Sequence, residues 1–539
     1  MKTSFLPAIP AVLLPAFAIP FQADGRNVKP EQKTNLVFIL VDQLRFDALS
    51  CMGNNVISTP NLDRLASEGV LFRNAYSECP VSVPARASLL TGCSIYNTGI
   101  ISNGVCYESK GNLTGDEPIW NMKTYDEVLI DHGYAGEYYG KWHSPEFRAY
   151  AYQNRPIGLA GASGHEVLGA GLSKIYADWL NNVAPEKMKE EGDIYYSSME
   201  RYYAPDPFDP LYNSGTPKAN QKSQVYSMGL LRVTDQQSRT AMDSQNLIAA
   251  INRLKDKPFT VHCSYGPPHP PLLVCEKYHS MLNPDDMEMM PNFEAREKAS
   301  PYYVNISKST YFQDPAIMKY MVKNYWVMVK ELDDWMGQVF QCIYNAGIKD
   351  HTMIVFLADH GEMLGAHGLN GKANFYEEAS HVPMIVSFPG KIPAGTVVNA
   401  PVNTIGIYAT ILDYLGIQDG QTHRPDEPSL RRFIENKELS DSKEAFAVSE
   451  WPSDVVPGEM IRTKEWKLMI GRTEKAKSVD ALYNMEKDPY ETTNLLAGPD
   501  GKKYQQVVAE LQRKLVENLE YRNSPYAKSV RDRVVKCGE

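Results

Sequence analysis

The sequence predicts an α/β fold, a sheet flanked by helices, followed by a smaller α+β domain at the C-terminus. Two apolar, β-branched runs, Asn35–Val41 and Met353–Ala358, have the unbroken hydrophobicity of strands buried on both faces of a parallel sheet. Residues 318–346 carry apolar side chains at the spacing of a long amphipathic helix. Each buried run ends at an acid, Asp42 or Asp359, which fits the rule that open α/β sheets bind ligands at the carboxyl ends of their strands.

Further helices and strands are predicted between and after these two strands. Between the two strands, Pro60–Ala66 is predicted to open a helix. In the long helix, Trp326 and Trp335 are interpreted as core residues. The smaller C-terminal unit contains two strand-like runs and a final helix, at Ala445–Val448, Trp466–Ile470 and about Tyr504–Leu519.

A change in composition places the domain boundary. Around residues 417–445 the chain becomes polar and charged, so we assign residues 30–425 to the main domain and 440–539 to the C-terminal domain. Residues 145–235 are less regular and rich in tyrosine, and we interpret them as a surface insertion. The alternative is a loop that offers aromatic faces to a substrate, since long loops in compact domains are often functional.

Composition excludes several classes of protein. With 43% apolar and 22% charged residues the chain is an ordinary globular protein, which excludes disorder, collagen and coiled coil. The 55 Lys+Arg and 65 Asp+Glu residues give a net charge of −10, which argues against binding to nucleic acid or anionic membranes. An anionic substrate would therefore need local cationic residues. The 8 cysteines are too sparse for a disulfide scaffold.

The first residues are typical of an export signal. Lys2 precedes an apolar run, Phe5–Phe17, and Ala16-Phe17-Ala18 fits a small-x-small cleavage site. We expect residues 1–18 to be a signal peptide and the mature protein to be periplasmic or secreted. No later stretch is apolar for the roughly 20 residues that a membrane span needs, so we expect no stable membrane span.

The most informative segment runs from Ser82 to Gly92. Proline two residues after Ser82 fixes a turn, and the apolar stretch that follows predicts a helix. Ser82 would then lie beside the helix N-terminus, where backbone N–H groups favour an anion. Arg86 adds a permanently charged fork suited to a tetrahedral oxyanion.

These residues resemble the signature of the sulfatase family, Cys/Ser-x-Pro-x-Arg followed by Leu-Thr-Gly. The alternative nucleophile position, Cys79, has Val83 where the signature requires arginine, so the register favours Ser82. The resemblance extends in order along the chain. It includes Asp42–Asp47, Thr59–Asp63, Gly140–His143, Pro268–Pro271, Ala358–Gly361, Gly371-Lys372 with Tyr376–Glu378 and Val382-Pro383, and then Leu482–Asn484, Asp488–Glu491 and Asn494-Leu495.

The resemblance implies an alkaline-phosphatase-like fold with a mixed sheet, and it implies a site. In this family the Cys or Ser is converted to formylglycine (3-oxoalanine) by a maturation enzyme, and its hydrated aldehyde supplies the nucleophile on a divalent cation. The implied metal ligands are Asp42, Gln43, Ser82, Asp359 and His360, a set rich in hard oxygens that suits Ca²⁺ or a similar cation. The implied catalytic residues are Ser82, Arg86, Lys141, His143, His269 and Lys372.

The catalytic residues divide by charge. Arg86, Lys141 and Lys372 would neutralise the sulfate oxygens while the S–O bond breaks. His269 is the expected acid for the leaving alcohol, and His143 the expected base for the second hydroxyl of the hydrated aldehyde. An unmodified serine would be a mediocre nucleophile, and no adjacent base is evident in the sequence.

The sequence departs from the common family pattern at two metal positions. Gln43 stands where a second Asp is usual, and His360 stands where Asn is frequent. Both residues occur in branches that include choline-type sulfatases and phosphonate monoester hydrolases. Gln43 removes one negative charge from the site, which keeps phosphoryl esters open as substrates. His381 lies where the family has a structural residue and is interpreted as packing.

The predicted function is hydrolysis of sulfate monoesters. Export and the aromatic insertion favour a sulfated saccharide as the substrate. One alternative is a phosphonate or phosphate ester hydrolase with the same metal and nucleophile. The other is a catalytically silent protein that binds sulfated glycans and whose Ser82 is never modified.

Overall fold

The computed structural model describes most of the chain after residue 33. The described ranges are 34–103, 122–144, 174–185, 228–231, 233–296, 300–302, 314–417, 423–453, 456–472 and 480–538. Thr34–Glu539 forms one compact unit. The predicted signal peptide and most of the predicted insertion at 145–235 lie outside the described residues. Within the described ranges, no helix has the length and apolar character needed to cross a membrane.

Fourteen strands are assigned to the described residues. They are β1 (Asn35–Val41), β2 (Val70–Tyr76), β3 (Ala135–Gly140), β4 (Met228–Leu231), β5 (Phe259–Tyr265), β6 (Leu272–Cys275), β7 (Thr352–Ala358), β8 (His381–Ser387), β9 (Thr396–Val398), β10 (Val402–Asn403), β11 (Phe446–Glu450), β12 (Glu459–Thr463), β13 (Trp466–Ile470) and β14 (Ala481–Asn484). The central sheet has the order β10-β2-β8-β7-β1-β5-β3, with β9 paired to β2. Its pairs β1–β5 and β1–β7 are parallel, whereas β8 is antiparallel to β7 and β2. The predicted mixed sheet is therefore confirmed.

The two strands predicted from their apolar runs lie side by side at the centre of this sheet. Every residue of β1 and β7 is buried, as expected for strands covered on both faces. Their register pairs Val41 with Ala358. Asp42 and Asp359 therefore leave the same edge of the sheet from neighbouring strands.

The α-helices cover the sheet and extend the C-terminal region. They span Pro60–Ser67, Ser82–Thr91, Ile95–Thr98, Tyr125–Asp131, Lys174–Val183, Arg239–Leu254, Glu276–His279, Pro315–Asn345, Glu377–Ser380, Gly406–Tyr414, Arg431–Glu435, Lys437–Ser440, Gln505–Tyr521 and Ala527–Asp532. The long helix predicted over 318–346 begins at Pro315, where the Asp314 side chain accepts a hydrogen bond from the N–H of Ala316. Trp326 and Trp335 are buried, as predicted for core residues.

The C-terminal region has a second sheet with its own apolar core. Strands β11 to β14 pair antiparallel in chain order. Leu468 of this sheet packs in one cluster with Leu515 and Val530 of the last two helices. The predicted small α+β domain is confirmed as an architecture, whereas the limits 30–425 and 440–539 stay predictions. A third, two-stranded sheet joins β4 to β6.

Two buried acids face each other across β11 and β12. Glu450 and Glu459 are a directly opposed cross-strand pair, and both are fully buried. Ser524 Oγ donates to Glu450 at 2.8 Å, and Arg472 Nε donates to Glu459 at 2.7 Å. Burial and the facing carboxylate raise the pKa of Glu450 to about 8, and burial raises that of Glu459 to about 7.

These raised pKa values predict a loss of stability at alkaline pH. A carboxyl group whose pKa is higher in the folded than in the unfolded state stabilises the fold fully below its unfolded pKa of about 4.5. This contribution declines as pH rises and is lost once pH has passed the folded values of about 7 and 8. The slope is roughly 1.4 kcal/mol per pH unit for each proton released. We expect the melting temperature to fall between about pH 5 and 8, and less steeply in Glu450→Gln. Glu444→Gln, at an exposed acid, is the control; a wild-type melting temperature constant over this range contradicts the assignment.

Candidate active site

The acids at the ends of β1 and β7 organise one edge of the sheet. Asp42 and Asp359 are buried, and the backbone N–H groups of Gln43 and His360 donate to Asp359 Oδ1 at 3.1 and 2.9 Å. Gln43 has a φ of 63°, an uncommon conformation that its surroundings hold in place. Ligand atoms of Asp42, Asp359 and His360 lie within 4.8 Å of one another. The three side chains can hold a cation.

Ser82 lies against this group. It is the first residue of the helix Ser82–Thr91 and is fully buried. Its Oγ is 2.9 Å from His360 Nε2 and accepts from Lys372 Nζ at 3.2 Å. No base was evident beside the serine in the sequence, and the structure brings His360 to it from a distant segment. Burial, however, lowers the pKa of His360 to about 4, so this imidazole is a weak base.

Arg86 braces the two acids. Its Nε donates to Asp359 and its Nη2 to Asp42, both at 2.9 Å. Its Nη1 donates to Ser264 Oγ at 2.7 Å and to the Lys141 carbonyl at 3.2 Å. The guanidinium thus donates hydrogen bonds to protein groups at all three of its nitrogens, and its charge neutralises the two buried carboxylates. Its predicted contact with the sulfate oxygens stays a prediction.

Two lysines supply positive charge at the site. Lys141 forms an ion pair with Asp42, and Lys372 Nζ donates to Gln43 Oε1 at 2.8 Å. Gly140 holds a φ of 80°, and a Cβ there would collide with the Ser264 carbonyl, so the Gly-Lys order of the motif has a steric reason. Burial lowers the pKa of Lys141, and it lowers that of Lys372 to about 8.

Both predicted histidines lie within electrostatic reach of these lysines. Burial and the charge of Lys141 lower the pKa of His143 and of His269 well below the usual range. His269 Nδ1 is 2.7 Å from the Pro270 carbonyl, which makes Nδ1–H a donor and Nε2 an acceptor in the neutral ring. A bound anion would oppose the two ammonium charges and favour the protonated form needed for acid catalysis.

The structure therefore brings all ten predicted site residues together. Burial alone would raise the pKa of Asp42, but Lys141 and Arg86 are among the cations that hold it well below its usual range. Among the described residues Asp42 Oδ1 has no hydrogen-bond partner. A buried carboxylate oxygen left in this way, beside a second carboxylate and an imidazole, fits a hard divalent cation such as Ca²⁺. Its ligands would be Asp42, Asp359 and His360, with Gln43 and Ser82 as the further predicted ones.

Sequence reasoning missed two residues that support the site. Glu362 accepts from Gln43 Nε2, and Tyr325 OH donates to the Gln43 carbonyl at 2.7 Å. Glu362 follows directly after the Asp359–Gly361 motif, so its position was a usable signal. Tyr325 lies in the long helix, where its spacing predicts a core residue. No neighbouring residue in the sequence indicates that its hydroxyl group reaches the site. His381 stacks on Phe46 at 4.4 Å between ring centroids, in agreement with a packing role.

Comparisons with known proteins identify the family of this chain. The family model described as Sulfatase matches residues 34–417, and that described as N-sulphoglucosamine sulphohydrolase, C-terminal, matches residues 365–521. The chain is 27% identical over 500 residues to an ulvan-active sulfatase of Formosa agariphila, covering 90% of this chain and 81% of the relative. It is 26% identical over 505 residues to the multifunctional alkaline phosphatase superfamily protein PehA of Trinickia caryophylli, covering 87% and 92%.

A solved structure confirms the fold. The phosphonate monoester hydrolase of Agrobacterium radiobacter superposes with a TM-score of 0.68 at 22% identity, covering 91% of this chain and 96% of that one. The first family model spans well over half of the chain, and it includes every predicted site residue. The chain therefore belongs to the sulfatase family, and it is a sulfuric ester hydrolase.

Proposed function

We propose that this enzyme hydrolyses sulfate monoesters of an exported or extracellular saccharide with a formylglycine formed from Ser82. The observation that carries the proposal is the position of Ser82 Oγ, 2.9 Å from His360 and 3.2 Å from Lys372 Nζ, beside Asp42 and Asp359. A formylglycine-generating maturation enzyme would act on Ser82 before the chain folds, because the side chain is fully buried afterwards.

The charges around Ser82 support this chemistry. A sulfate monoester carries its charge on non-bridging oxygens, and preorganised cations stabilise that charge in the transition state. Lys141 is buried and Lys372 is partly buried, so both charges are less screened by water than surface charges are. A divalent cation, when bound, would add Lewis-acid stabilisation.

His143 and His269 are the proposed groups for proton transfer. His269 would protonate the leaving alcohol, and His143 would accept a proton from the modified Ser82. Burial and the nearby charge of Lys141 lower the pKa of both rings. Binding of the sulfate ester therefore assists the acid role of His269, since the anion raises its pKa.

The substrate class rests on different support. The relative from Formosa agariphila is named for activity on ulvan. The N-terminal segment has the charge and apolar run of a signal peptide, which supports a periplasmic or secreted enzyme. A screen of desalted, defined sulfated mono- and disaccharides tests the proposal. Release of sulfate from at least one sugar is expected, whereas turnover of aryl sulfate alone would contradict the saccharide class.

A phosphonate or phosphate ester is the second candidate substrate, and Gln43 is the observation that favours it. The uncharged amide leaves less negative charge beside the reacting group than a second Asp would. The relative PehA is named as multifunctional. Because the same cations serve both anions, we expect activity on both classes.

Side-by-side turnover separates the two candidates. With 4-nitrophenyl sulfate and the 4-nitrophenyl monoester of phenylphosphonate, we expect kcat/KM to favour the sulfate by roughly tenfold or more. The leaving group is the same in both, so the ratio reports recognition of the transferred group. A wide preference for the phosphonate would contradict the proposed function.

A further inference from the structure

We propose that Glu362 is a positioning residue that fixes the amide orientation of Gln43 and thereby the place of Lys372 beside Ser82. The inference concerns a residue outside the predicted site, and it rests on the hydrolytic role proposed for Lys372 and Ser82. Glu362 is 1% exposed and lies at the start of the loop that leads to Lys372.

The carboxylate of Glu362 joins separate parts of the chain. One oxygen, Oε1, accepts from the backbone N–H of Leu364 at 2.9 Å and of Gly371 at 2.7 Å. The other oxygen, Oε2, accepts from Gln43 Nε2. One side chain thus closes the 364–371 loop onto itself and ties it to the segment that follows β1.

The neighbours of Gln43 permit a single orientation of its amide. Gln43 Oε1 accepts from Lys372 Nζ at 2.8 Å, while its Nε2 faces Glu362. An ammonium group only donates and a carboxylate only accepts, so both ends require the same arrangement. A turned amide would set donor against donor at Lys372 and acceptor against acceptor at Glu362, leaving buried groups unsatisfied.

Lys372 receives the effect of Glu362 by two routes. Gly371 is its neighbour in the chain, and the hydrogen bond from Gly371 N–H to Glu362 holds the backbone there. Through Gln43, the same acid places an oxygen against the Lys372 ammonium. That ammonium in turn donates to Ser82 Oγ at 3.2 Å.

The backbones on both sides of this contact are fixed independently. Tyr325 OH donates to the Gln43 carbonyl at 2.7 Å, and Arg45 Nη1 donates to the Glu362 carbonyl at 2.8 Å. Because the main chains are held, the side-chain pairing of Gln43 with Glu362 decides which polar atom meets Lys372. The polarity of this contact can therefore be changed while the main chain at Gln43 and Glu362 stays in place.

A reciprocal exchange tests the inference. In Glu362→Gln, the introduced amide oxygen is expected to stay on the two backbone N–H groups of Leu364 and Gly371, which leaves its NH₂ facing the NH₂ of Gln43. Gln43 can then accept from it only by turning its own NH₂ toward Lys372. In the double variant Gln43→Glu/Glu362→Gln, the introduced carboxylate accepts from both the introduced amide and Lys372. The double variant also keeps the net charge of the pair.

We expect Glu362→Gln to lower kcat for 4-nitrophenyl sulfate by roughly 10- to 100-fold, the range seen when an outer-shell partner is lost. The double variant should recover most of that loss. Calorimetric affinity for inorganic sulfate gives a readout without turnover, and it should weaken and recover in parallel, since Lys372 contributes to anion binding. Thermal melting establishes that each variant is folded.

The matched control is Gln43→Glu/Glu378→Gln. Glu378 is a buried acid that accepts from Asn292 at 2.7 Å, so this double variant has the same net charge but neutralises a different acid. Gln43→Glu alone sets two carboxylates against each other and should also lower kcat. Relative to this single variant, the Gln43/Glu362 double variant should recover activity and the Gln43/Glu378 control should not. Equal recovery in both double variants, or none in the Gln43/Glu362 pair, overturns the inference. Lys372→Ala distinguishes a failure of this inference from a failure of the proposed function. Wild-type activity in that variant would refute the proposed site itself.

Discussion

Ser82→Ala is expected to abolish sulfate ester hydrolysis, with kcat reduced by roughly 10⁴-fold or more, the scale on which removal of a nucleophile acts. Ser82 Oγ is the atom on which His360 Nε2 and Lys372 Nζ converge. The methyl group of alanine has no oxygen to be modified or to react. The side chain is small and buried at a helix start, so the substitution should leave the fold intact. Steady-state turnover of 4-nitrophenyl sulfate, with thermal melting as the folding check, measures the effect.

Cys79 provides the matched control for this prediction. It is the other residue of suitable type near the signature, but it is buried in a small apolar cluster with Val81 and Ile95. Burial raises its pKa, which disfavours the reactive thiolate. Cys79→Ala should therefore keep kcat within about twofold of the wild type. If activity were lost in Cys79→Ala but retained in Ser82→Ala, the nucleophile would be Cys79, and the assignment to Ser82 would be wrong.

The second large effect is expected from the two lysines. Lys141→Ala and Lys372→Ala should each lower kcat/KM by about two orders of magnitude or more, since each removes a preorganised charge from the reacting sulfate. Lys141 is also paired with Asp42, so its loss leaves that carboxylate with less compensation. The substitution at Lys372 should act on catalysis with less effect on stability, since its Nζ contacts the neutral side chains of Gln43 and Ser82.

An exposed lysine separates local from global charge. Lys391 lies on the surface beyond β8, and Lys391→Ala changes the net charge by the same amount as either site variant. Its kcat/KM should match that of the wild type at about 0.15 M salt, because charges beyond a Debye length are largely screened. A rate near wild type in Lys141→Ala or Lys372→Ala would contradict the site.

Sequence reasoning predicted the parts of the structure that depend on local patterns. The runs that became β1 and β7 are buried throughout, and the acids that end them meet at one edge because the strands are parallel neighbours. The short strands were harder to predict from the sequence. β12 and β4 are recognised by their pairing with strands that are distant in the sequence or equally short, and a run such as Glu459–Thr463 has no alternation that marks it.

The same distinction between local pattern and tertiary contact applies to the site. Ordered motifs were enough to identify the residues that meet at Ser82. They could not show that Arg86 donates to Asp42 and Asp359, or that Ser82 Oγ lies within hydrogen-bond distance of His360 Nε2, because these contacts join segments more than 40 residues apart. Whether a side chain faces substrate or protein depends on tertiary geometry. The same reasoning explains why the net charge of −10 does not prevent anion binding, since Lys141 and Lys372 act locally.

The central claim is that Ser82 is converted to formylglycine for sulfate ester hydrolysis. Mass spectrometry of the peptide that contains Ser82, from active protein produced in its native host, tests it most directly. We predict a peptide lighter than the encoded one by two hydrogens, and Ser82→Ala protein should lack this difference. An unmodified serine in protein that hydrolyses sulfate esters would contradict the mechanism, and an unmodified serine in inactive protein would favour a protein that only binds sulfated glycans.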